Sequence, residues 1–272
     1  MIASQVHAII AAGLENPALL ARWRREPDLL RKCGVDPNSV DLDALWKFAG
    51  LSVKVRHNGL RGDLPSTFRL LNIAGLEIEV FASYATFQSG HGRKYAATAE
   101  GRSEDLLLFL EQWLDFERHE QALLWDVIRH ELTLARLRKS CPSVAASTVS
   151  DAPGQRPRAK SIPRVCGEIV LHEMRSDPRV VERLLQRKRP NLKEVSRGTF
   201  HFGYWRTAAE LFILQLDELG FLLLSMIDGK RSVADIGSLI YGGRKVRAEL
   251  VNALSELEAM RIVAFDGTKK SR

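Results

Sequence analysis

The sequence predicts an α+β protein in which an all-helical N-terminal domain precedes a C-terminal module with a small antiparallel sheet. Apolar residues recur at helical spacing through the first half of the 272-residue chain, and an alternating stretch near residue 200 is typical of a strand. A Pro-bearing polar segment separates these two regions. We therefore expect a helical domain over residues 1–140, a linker over 141–163 and a second domain over 164–272.

Composition and charge exclude several classes of protein. Apolar residues make up 45% and charged residues 27%, as in ordinary globular chains. The formal net charge is +7, but residues 141–198 carry +6 of it. Because a nucleic-acid binder concentrates charge on the folded element that docks, the near-neutral flanking regions argue against nucleic acid as a partner. Charges interrupt the most apolar stretch, Leu211–Ile227, so we expect no membrane span and a cytoplasmic location.

Local signals mark the helices of the first domain. Asn16 and Pro17 are a typical N-cap and first helical residue, and a short helix is expected over Asp41–Gly50. Leu64–Thr67 begins another helix, and the spacing over Leu76–Phe87 favours a helix over a strand. The longest predicted helix starts with Ser103 as its cap and continues to Lys139, with a break near Glu120 as the alternative.

The last 74 residues follow a clear order of elements. A hairpin of two strands is followed by three helices and a closing strand, the order of a winged helix–turn–helix module. A short amphipathic helix is expected before the hairpin, within Arg175–Arg197. The predicted strands are Thr199–Arg206, Glu210–Leu216 and Ile262–Phe265, and the predicted helices are Asp217–Ile227, Ser232–Ile240 and Arg244–Met260.

An acid–histidine repeat lies within the predicted long helix. Asp115 precedes His119 by four residues, and Asp126 precedes His130 in the same way. On one continuous helix these side chains share a face opposite the apolar stripe. Such a face can be a salt-bridged surface, a metal site or a contact with a partner protein, and we assign these four residues to partner contact. No phosphate loop, Cys-x-x-Cys pair or catalytic constellation is present, so we expect no catalytic residue, metal or cofactor in this chain.

The C-terminal residues resemble a PqqD-type recognition element for ribosomally made peptides. In that family the leader of a precursor peptide adds a strand to the sheet edge and packs against the third helix. The resemblance is carried by Phe212–Gly220, Leu222–Ile236, Leu250, Leu254, Leu257 and Arg261–Val263. It implies an edge strand formed by Glu210, Leu211, Phe212, Ile213, Leu214 and Gln215, and a groove wall formed by Arg247, Val251, Leu254 and Glu258.

The helical region is similar to the partner subunits, of the TglI and MbnC type, of multinuclear non-haem iron enzymes. The residues that carry this likeness are Leu64-Pro65, Leu70-Leu71, Gly75, Phe81, Tyr84, Phe109-Leu110 and Trp125–Glu131. The resemblance implies a non-catalytic subunit that presents a peptide cysteine to the iron enzyme in a heterodimer, with iron held by that enzyme. The implied reaction depends on the type of partner subunit. The TglI type implies excision of the cysteine β-carbon in 3-thiaglutamate biosynthesis, and the MbnC type implies formation of oxazolone and thioamide groups.

A winged-helix transcription factor is the alternative function. Arg244, Lys245 and Arg247 at the start of the third helix would then enter the major groove of DNA.

Overall fold

The computed structural model describes residues 2–140, 157–241 and 248–265. They form an α+β structure with many helices and two small antiparallel sheets, which confirms the coarse fold class. Contacts divide the chain into two compact units. Unit 1 comprises Met1–Leu132 and Pro178–Val195, and unit 2 comprises Thr133–Asp177 and Ser196–Arg272. The sequence did not predict that the segment Pro178–Val195 belongs with the N-terminal helices.

Unit 1 is helical throughout its regular structure. Its helices are α1 Ile2–Glu15, α2 Pro17–Arg25, α3 Asp28–Lys32, α4 Leu42–Arg56, α5 Pro65–Ile73, α6 Glu77–Gly90, α7 Ala99–Trp113, the first part of α8 His119–Lys139, and α9 Pro178–Leu185. Three 3-10 turns connect some of them, at Pro37–Ser39, Asn58–Arg61 and Leu192–Glu194.

The predicted cap at Asn16 is confirmed, since its side chain accepts a hydrogen bond from the Leu19 amide at 3.1 Å. Asp41, at the start of the predicted Asp41–Gly50 helix, is also a cap and accepts a hydrogen bond from the Ala44 amide at 2.9 Å. Each carboxamide or carboxylate satisfies an amide that has no partner inside its own helix. The predicted helices over Leu76–Phe87 and within Arg175–Arg197 are also present, as α6 and α9.

The region predicted as a helix from Ser103 to Lys139 is two helices, because α7 ends at Trp113 and α8 begins at His119, close to the alternative break at Glu120. The backbone at Leu114 is extended. The Asp115 carboxylate accepts a hydrogen bond from the Glu117 amide at 3.1 Å, an Asx turn that competes with helix. Ser103 lies inside α7, and Thr98 caps that helix instead.

Two apolar clusters form the core of unit 1. The larger one gathers side chains from α4 to α9, and the smaller one gathers side chains from α1 to α4. Helices α4 and α6 approach closely at Gly50, where a Cβ atom would lie 2.7 Å from the Ala82 backbone nitrogen. The fully buried aromatic residues of the larger cluster include Phe68, Phe81 and Tyr84.

Unit 2 contains both sheets. Its elements are the second part of α8, β1 Pro163–Val165, β2 Glu168–Met174, β3 Phe200–Arg206, β4 Leu211–Leu216, α10 Glu218–Met226, α11 Val233–Tyr241, α12 Ala248–Ala259 and β5 Val263–Phe265. The three-stranded sheet has the order β2-β3-β4, and the two-stranded sheet pairs β1 with β5. All three pairings are antiparallel.

The predicted hairpin and closing strand are present, but the closing strand has a different partner. β3 and β4 pair from Arg206 opposite Leu211 to His201 opposite Leu216. β5 pairs with β1, at the end of the predicted linker. Residues of that predicted linker also complete α11, because the amides of Val233 and Ala234 donate to the carbonyls of Ser161 and Ala159 at 2.9 Å.

The sheet of unit 2 packs apolar side chains on both faces. One face, with Phe202, Tyr204 and Met174, contacts Leu134 and Leu137 of α8. The opposite face, with Trp205, contacts a cluster that includes Leu224 of α10 and Leu257 of α12. The predicted helices that begin at Asp217 and Ser232 are present as α10 and α11, and both residues are caps. Asp217 accepts a hydrogen bond from the Gly220 amide at 2.7 Å, and Ser232 exchanges hydrogen bonds with Asp235.

Candidate functional site

Strand β4 lies at an edge of the three-stranded sheet, and β3 is its only neighbour in the described sheet order. At the hairpin, the Thr207 amide donates to the Glu210 carbonyl at 2.8 Å. Hydrogen-bonded and non-hydrogen-bonded pairs alternate along an antiparallel ladder. Phe212 and Leu214 therefore direct their backbone groups towards β3, and Leu211 and Ile213 direct theirs towards the outer edge.

An apolar cleft opens between β4 and the end of α12. It has a volume of about 450 Å³ and is lined by Trp205, Thr207, Glu210, Phe212, Leu214, Met260, Arg261 and Ile262. The rings of Trp205 and Phe212 stack with their centroids 5.2 Å apart. Phe212 remains 37% exposed and Met260 remains 52% exposed. The cleft thus presents large apolar side chains to solvent beside an unfilled sheet edge.

The backbone at the end of α12 is strained. Arg261 has φ 60°, and it is the one non-glycine residue with positive φ in the described part of the chain. Its amide donates to the Glu258 carbonyl at 2.8 Å, and the next amide, of Ile262, donates to the Leu257 carbonyl at 2.9 Å. This pair of bonds is a Schellman motif, in which glycine is the usual residue at the left-handed position. The turn carries the exposed Arg261 to the rim of the cleft.

The structure separates the residues predicted to bind a peptide into three groups. On β4 and the preceding turn, Glu210, Phe212 and Gln215 are exposed and Leu211, Ile213 and Leu214 are half-buried. On α12, Val251 and Glu258 are half-buried, and burial raises the pKa of the Glu258 carboxyl. Arg247 lies outside the described residues, as do Arg244 and Lys245.

Leu254 does not line a groove, and its prediction as a groove wall is wrong. Its side chain is fully buried in a cluster with Leu223, Val233, Ile236 and Leu250. The reason is helical geometry: Leu254 follows Leu250 by four residues and so lies on the same face of α12.

The acid–histidine repeat is not a single exposed face. Asp115 is exposed and precedes α8, and His119 is half-buried at the first turn of that helix. The His119 ring donates from Nε2 to the Leu192 carbonyl at 2.8 Å. Asp126 is 1% exposed and His130 is 0% exposed. The prediction that all four residues face solvent or a partner is therefore wrong for Asp126 and His130.

The polar side chains on this buried part of α8 have partners within unit 1. Nε2 of His130 lies 3.5 Å from the Glu182 carboxylate of α9. The buried Glu131 carboxylate accepts hydrogen bonds from the Ser66 and Thr67 amides at 2.7 and 2.8 Å, and thereby caps α5. Burial raises the pKa of Glu131, although these hydrogen bonds oppose that shift. Within the described ranges, no group of three His, Cys, Asp or Glu residues is arranged to hold a metal ion.

His57 is another buried polar residue of unit 1. Its Nδ1 atom lies 2.8 Å from the Val53 carbonyl, and its ring contacts those of Phe81, Tyr84 and Tyr95 at centroid distances of 5.3 to 5.7 Å. None of the described residues provides a hydrogen-bond partner for Nε2. Burial lowers the pKa of His57, and the positive charges of Arg102 and Arg56 lower it further.

Sequence reasoning missed five members of the cleft: Trp205, Thr207, Met260, Arg261 and Ile262. Alternation along β3 assigns Phe200, Phe202 and Tyr204 to one face, and the same alternation assigns Trp205 to the opposite face. This signal was available in the sequence. Met260 and Ile262 offered no such signal, because their positions depend on the Schellman turn that follows α12.

Among the described residues, none of the helices alone has the length and apolar composition of a membrane span. α5 and α6 meet those criteria only as a pair, bent by 111°. Cys33 and Cys166 are free thiols, and Cys141 lies outside the described residues.

Comparison with known proteins places the chain in no established family. No family model matches the sequence, and a search of curated proteins found no match.

Proposed function

We propose that unit 2 contains a PqqD-like winged helix–turn–helix module that binds the leader of a ribosomally made precursor peptide. The chain is then the partner subunit of a multinuclear non-haem iron enzyme and presents the peptide's cysteine to it. The iron belongs to that enzyme. The contribution of this chain is positioning, because orienting two reactants removes a large entropic part of a reaction barrier.

The observation that carries the proposal is the pairing of an open strand edge with an apolar cleft. Backbone groups of Leu211 and Ile213 point outward from β4. An extended peptide can bond to these groups and extend the sheet by one strand. The side chains on one face of that added strand would lie over Phe212 and Leu214 and enter the cleft.

The lining of the cleft indicates the peptide residue that it accepts. Trp205, Phe212, Leu214 and Met260 offer apolar surface, and Arg261 and Glu210 stand at the rim. A bulky apolar side chain of the leader fits this lining, since it would remove exposed apolar surface from water. A charged side chain placed against the rings of Trp205 and Phe212 would lose hydration there without a hydrogen-bond partner from those rings.

Leader binding can be tested with a fluorescently labelled, cysteine-containing peptide encoded beside the gene for this chain. We expect saturable binding to the full-length chain. Phe212→Glu introduces a carboxylate into the cleft and is expected to weaken binding about 30-fold or more. Leu239→Glu is the matched control, because Leu239 is also exposed and lies on α11 away from the cleft. Its affinity for the peptide is expected to stay within a factor of two of the wild-type value.

A backbone-methylated series of the same peptide tests strand addition directly. Methylation of alternate peptide amides removes the donors that face β4, whereas methylation of the intervening amides leaves them intact. We expect an alternating pattern of weakened and unchanged affinity. Uniform sensitivity along the peptide, or equal binding by the wild type and Phe212→Glu, would contradict the assignment. Salt-sensitive DNA binding without peptide binding would favour the transcription-factor alternative.

A further inference from the structure

Helix α4 carries an apolar stripe that the rest of unit 1 leaves exposed. Phe48, Leu51 and Val55 are 56%, 42% and 60% exposed. Their spacing of three and four residues aligns them on one side of the helix, with exposed Ala44 one turn before Phe48. We call Ala44, Phe48, Leu51 and Val55 the α4 stripe. It extends over eleven residue steps, or about 16 Å.

The α4 stripe is separate from the face that α4 uses for packing. Ala49, Gly50 and Val53 are buried on the other side of the helix, and Gly50 contacts Ala82 of α6. Trp46 belongs to the smaller apolar cluster of unit 1. One face of α4 thus packs into the core of unit 1, and the α4 stripe is not part of that core. Contiguous exposed apolar side chains of this kind mark interaction surfaces.

The charges of α4 indicate which partner can cover the stripe. Lys47 and Arg56 are exposed and form no ion pair with a described carboxylate. Lys54 is already paired with Glu77 at 2.8 Å. The one carboxylate within α4, Asp43, is paired with Arg24 at 2.6 Å. Lys47 is therefore available to pair with an acidic group of another molecule. The Arg56 guanidinium lies 4.6 Å from the centroid of the Tyr95 ring, a stacking that leaves its in-plane N–H groups available to a carboxylate.

A second copy of this chain fits the α4 stripe poorly. In a pair of α4 helices packed along their stripes, the cations of Lys47 and Arg56 would find no unpaired carboxylate on α4 of the other copy, because Asp43 already pairs with Arg24 and Lys54 already pairs with Glu77. Like charges placed in an interface oppose association. A different protein with an apolar ridge bordered by Asp or Glu is complementary in both shape and charge.

We infer that the α4 stripe binds a partner protein that presents an apolar ridge flanked by carboxylates. This inference rests on the proposed function, under which the partner is the iron enzyme. The sequence assigned partner contact to Asp126 and His130, which the structure buries. The α4 stripe is exposed and takes that role in their place. The stripe alone is smaller than a standard interface, which buries about 800 Å² on each partner. Its role is therefore that of the apolar centre of a larger contact, where the residues with the largest effect on affinity are found.

The test measures the affinity of the full-length chain for the purified iron enzyme encoded beside it. The double substitution Phe48→Glu with Leu51→Glu is expected to weaken binding about 30-fold or more, because it places two carboxylates at the centre of the contact. Lys47→Glu tests the charge argument separately. It is expected to weaken binding about tenfold at low salt and less at high salt. Leu239→Glu, on an exposed site of unit 2, is expected to leave the affinity unchanged.

The outcomes separate this inference from the proposed function. If the wild type binds the enzyme and the stripe variants bind equally well, the assignment of the α4 stripe as the docking surface is wrong, and the proposed function survives. If the wild type does not bind the enzyme at all, the proposed partnership and the stripe both fail, whatever the result of the leader-binding test. Sedimentation of the chain alone provides a further check. A dimer that the double substitution converts to a monomer would identify a second copy as the occupant and overturn the inference.

Discussion

Two regions of the molecule reverse the usual relation between polarity and exposure. Along α5, α8 and α9 of unit 1, the polar residues Asp126, His130 and Glu131 are buried. At the cleft of unit 2, the apolar residues Phe212 and Met260 are exposed. Buried polar groups must find partners or destabilise the fold, so the first region is structural. Exposed apolar groups beside an open strand edge gain from being covered, so the second region is suited to binding.

Removal of the Glu131 carboxylate is expected to have the largest effect on stability. In Glu131→Ala, the Ser66 and Thr67 amides at the start of α5 lose their acceptor in a buried site. We expect the free energy of unfolding to fall by about 2–4 kcal/mol, measured by urea denaturation. Glu111→Ala, at an exposed position of α7, is the control and should change it by less than about 0.5 kcal/mol. Equal effects of the two substitutions would contradict a structural role for Glu131.

Burial of His57 predicts a pH-dependent stability. Its pKa is lowered in the folded state from 6.5, so the folded chain binds this proton less readily than the unfolded chain. Stability is therefore full above about pH 6.5 and declines as the pH falls from there towards the folded pKa, by at most about 1.4 kcal/mol per pH unit.

The variant His57→Phe should lose this contribution. Denaturation midpoints measured between pH 7.5 and 5 would then fall less steeply than those of the wild type. His7→Gln, at an exposed site on α1, should retain the wild-type profile. Parallel profiles for the wild type and His57→Phe would show that His57 does not titrate as its surroundings imply. Arg56, Arg102 and Asp105 are the charged groups that influence this histidine.

The smallest expected effect is on the turn beside the cleft, where we expect a substitution to raise the stability of the protein. Arg261→Gly removes a side chain from a backbone with φ 60°, and we expect it to raise the free energy of unfolding by about 0.5–1 kcal/mol. Ala259→Gly, two residues earlier within α12, should instead lower it by about 1 kcal/mol. Thermal denaturation of the two variants distinguishes these results. A decrease for both would mean that the Arg261 side chain stabilises the turn by more than its backbone strain costs.

The features that could be predicted from sequence are local ones. The caps at Asn16, Asp41 and Asp217, and the hairpin between β3 and β4, each depend on residues a few positions apart. Such signals act over a few consecutive residues, so they can be read from the sequence alone. The assignment of Phe212 to a peptide-binding strand is of another kind, because it was implied by the resemblance to PqqD-type elements.

The features that could not be predicted depend on distant partners. β2 has its neighbour β3 more than 25 residues later in the chain, and no turn signal joins the two. Asp126 and His130 look like surface residues until α5 and α9 pack around α8. The cleft itself forms only when Met260 and Ile262 follow α12 at the Schellman turn, next to a strand almost 50 residues earlier.

The continuity of α8 limits how the chain can be divided for study. Its last turns carry Leu134 and Leu137, which cover Met174, Phe202 and Tyr204 of the sheet. A fragment cut at the predicted linker, and so beginning at residue 164, lacks both leucines and the first residue of β1. Such a fragment would expose a second apolar surface on the sheet, and that surface would bind peptides and aggregate without regard to sequence. Selective recognition should therefore be sought with the intact polypeptide, where α8 covers this face of the sheet and the cleft beside β4 lies on the other.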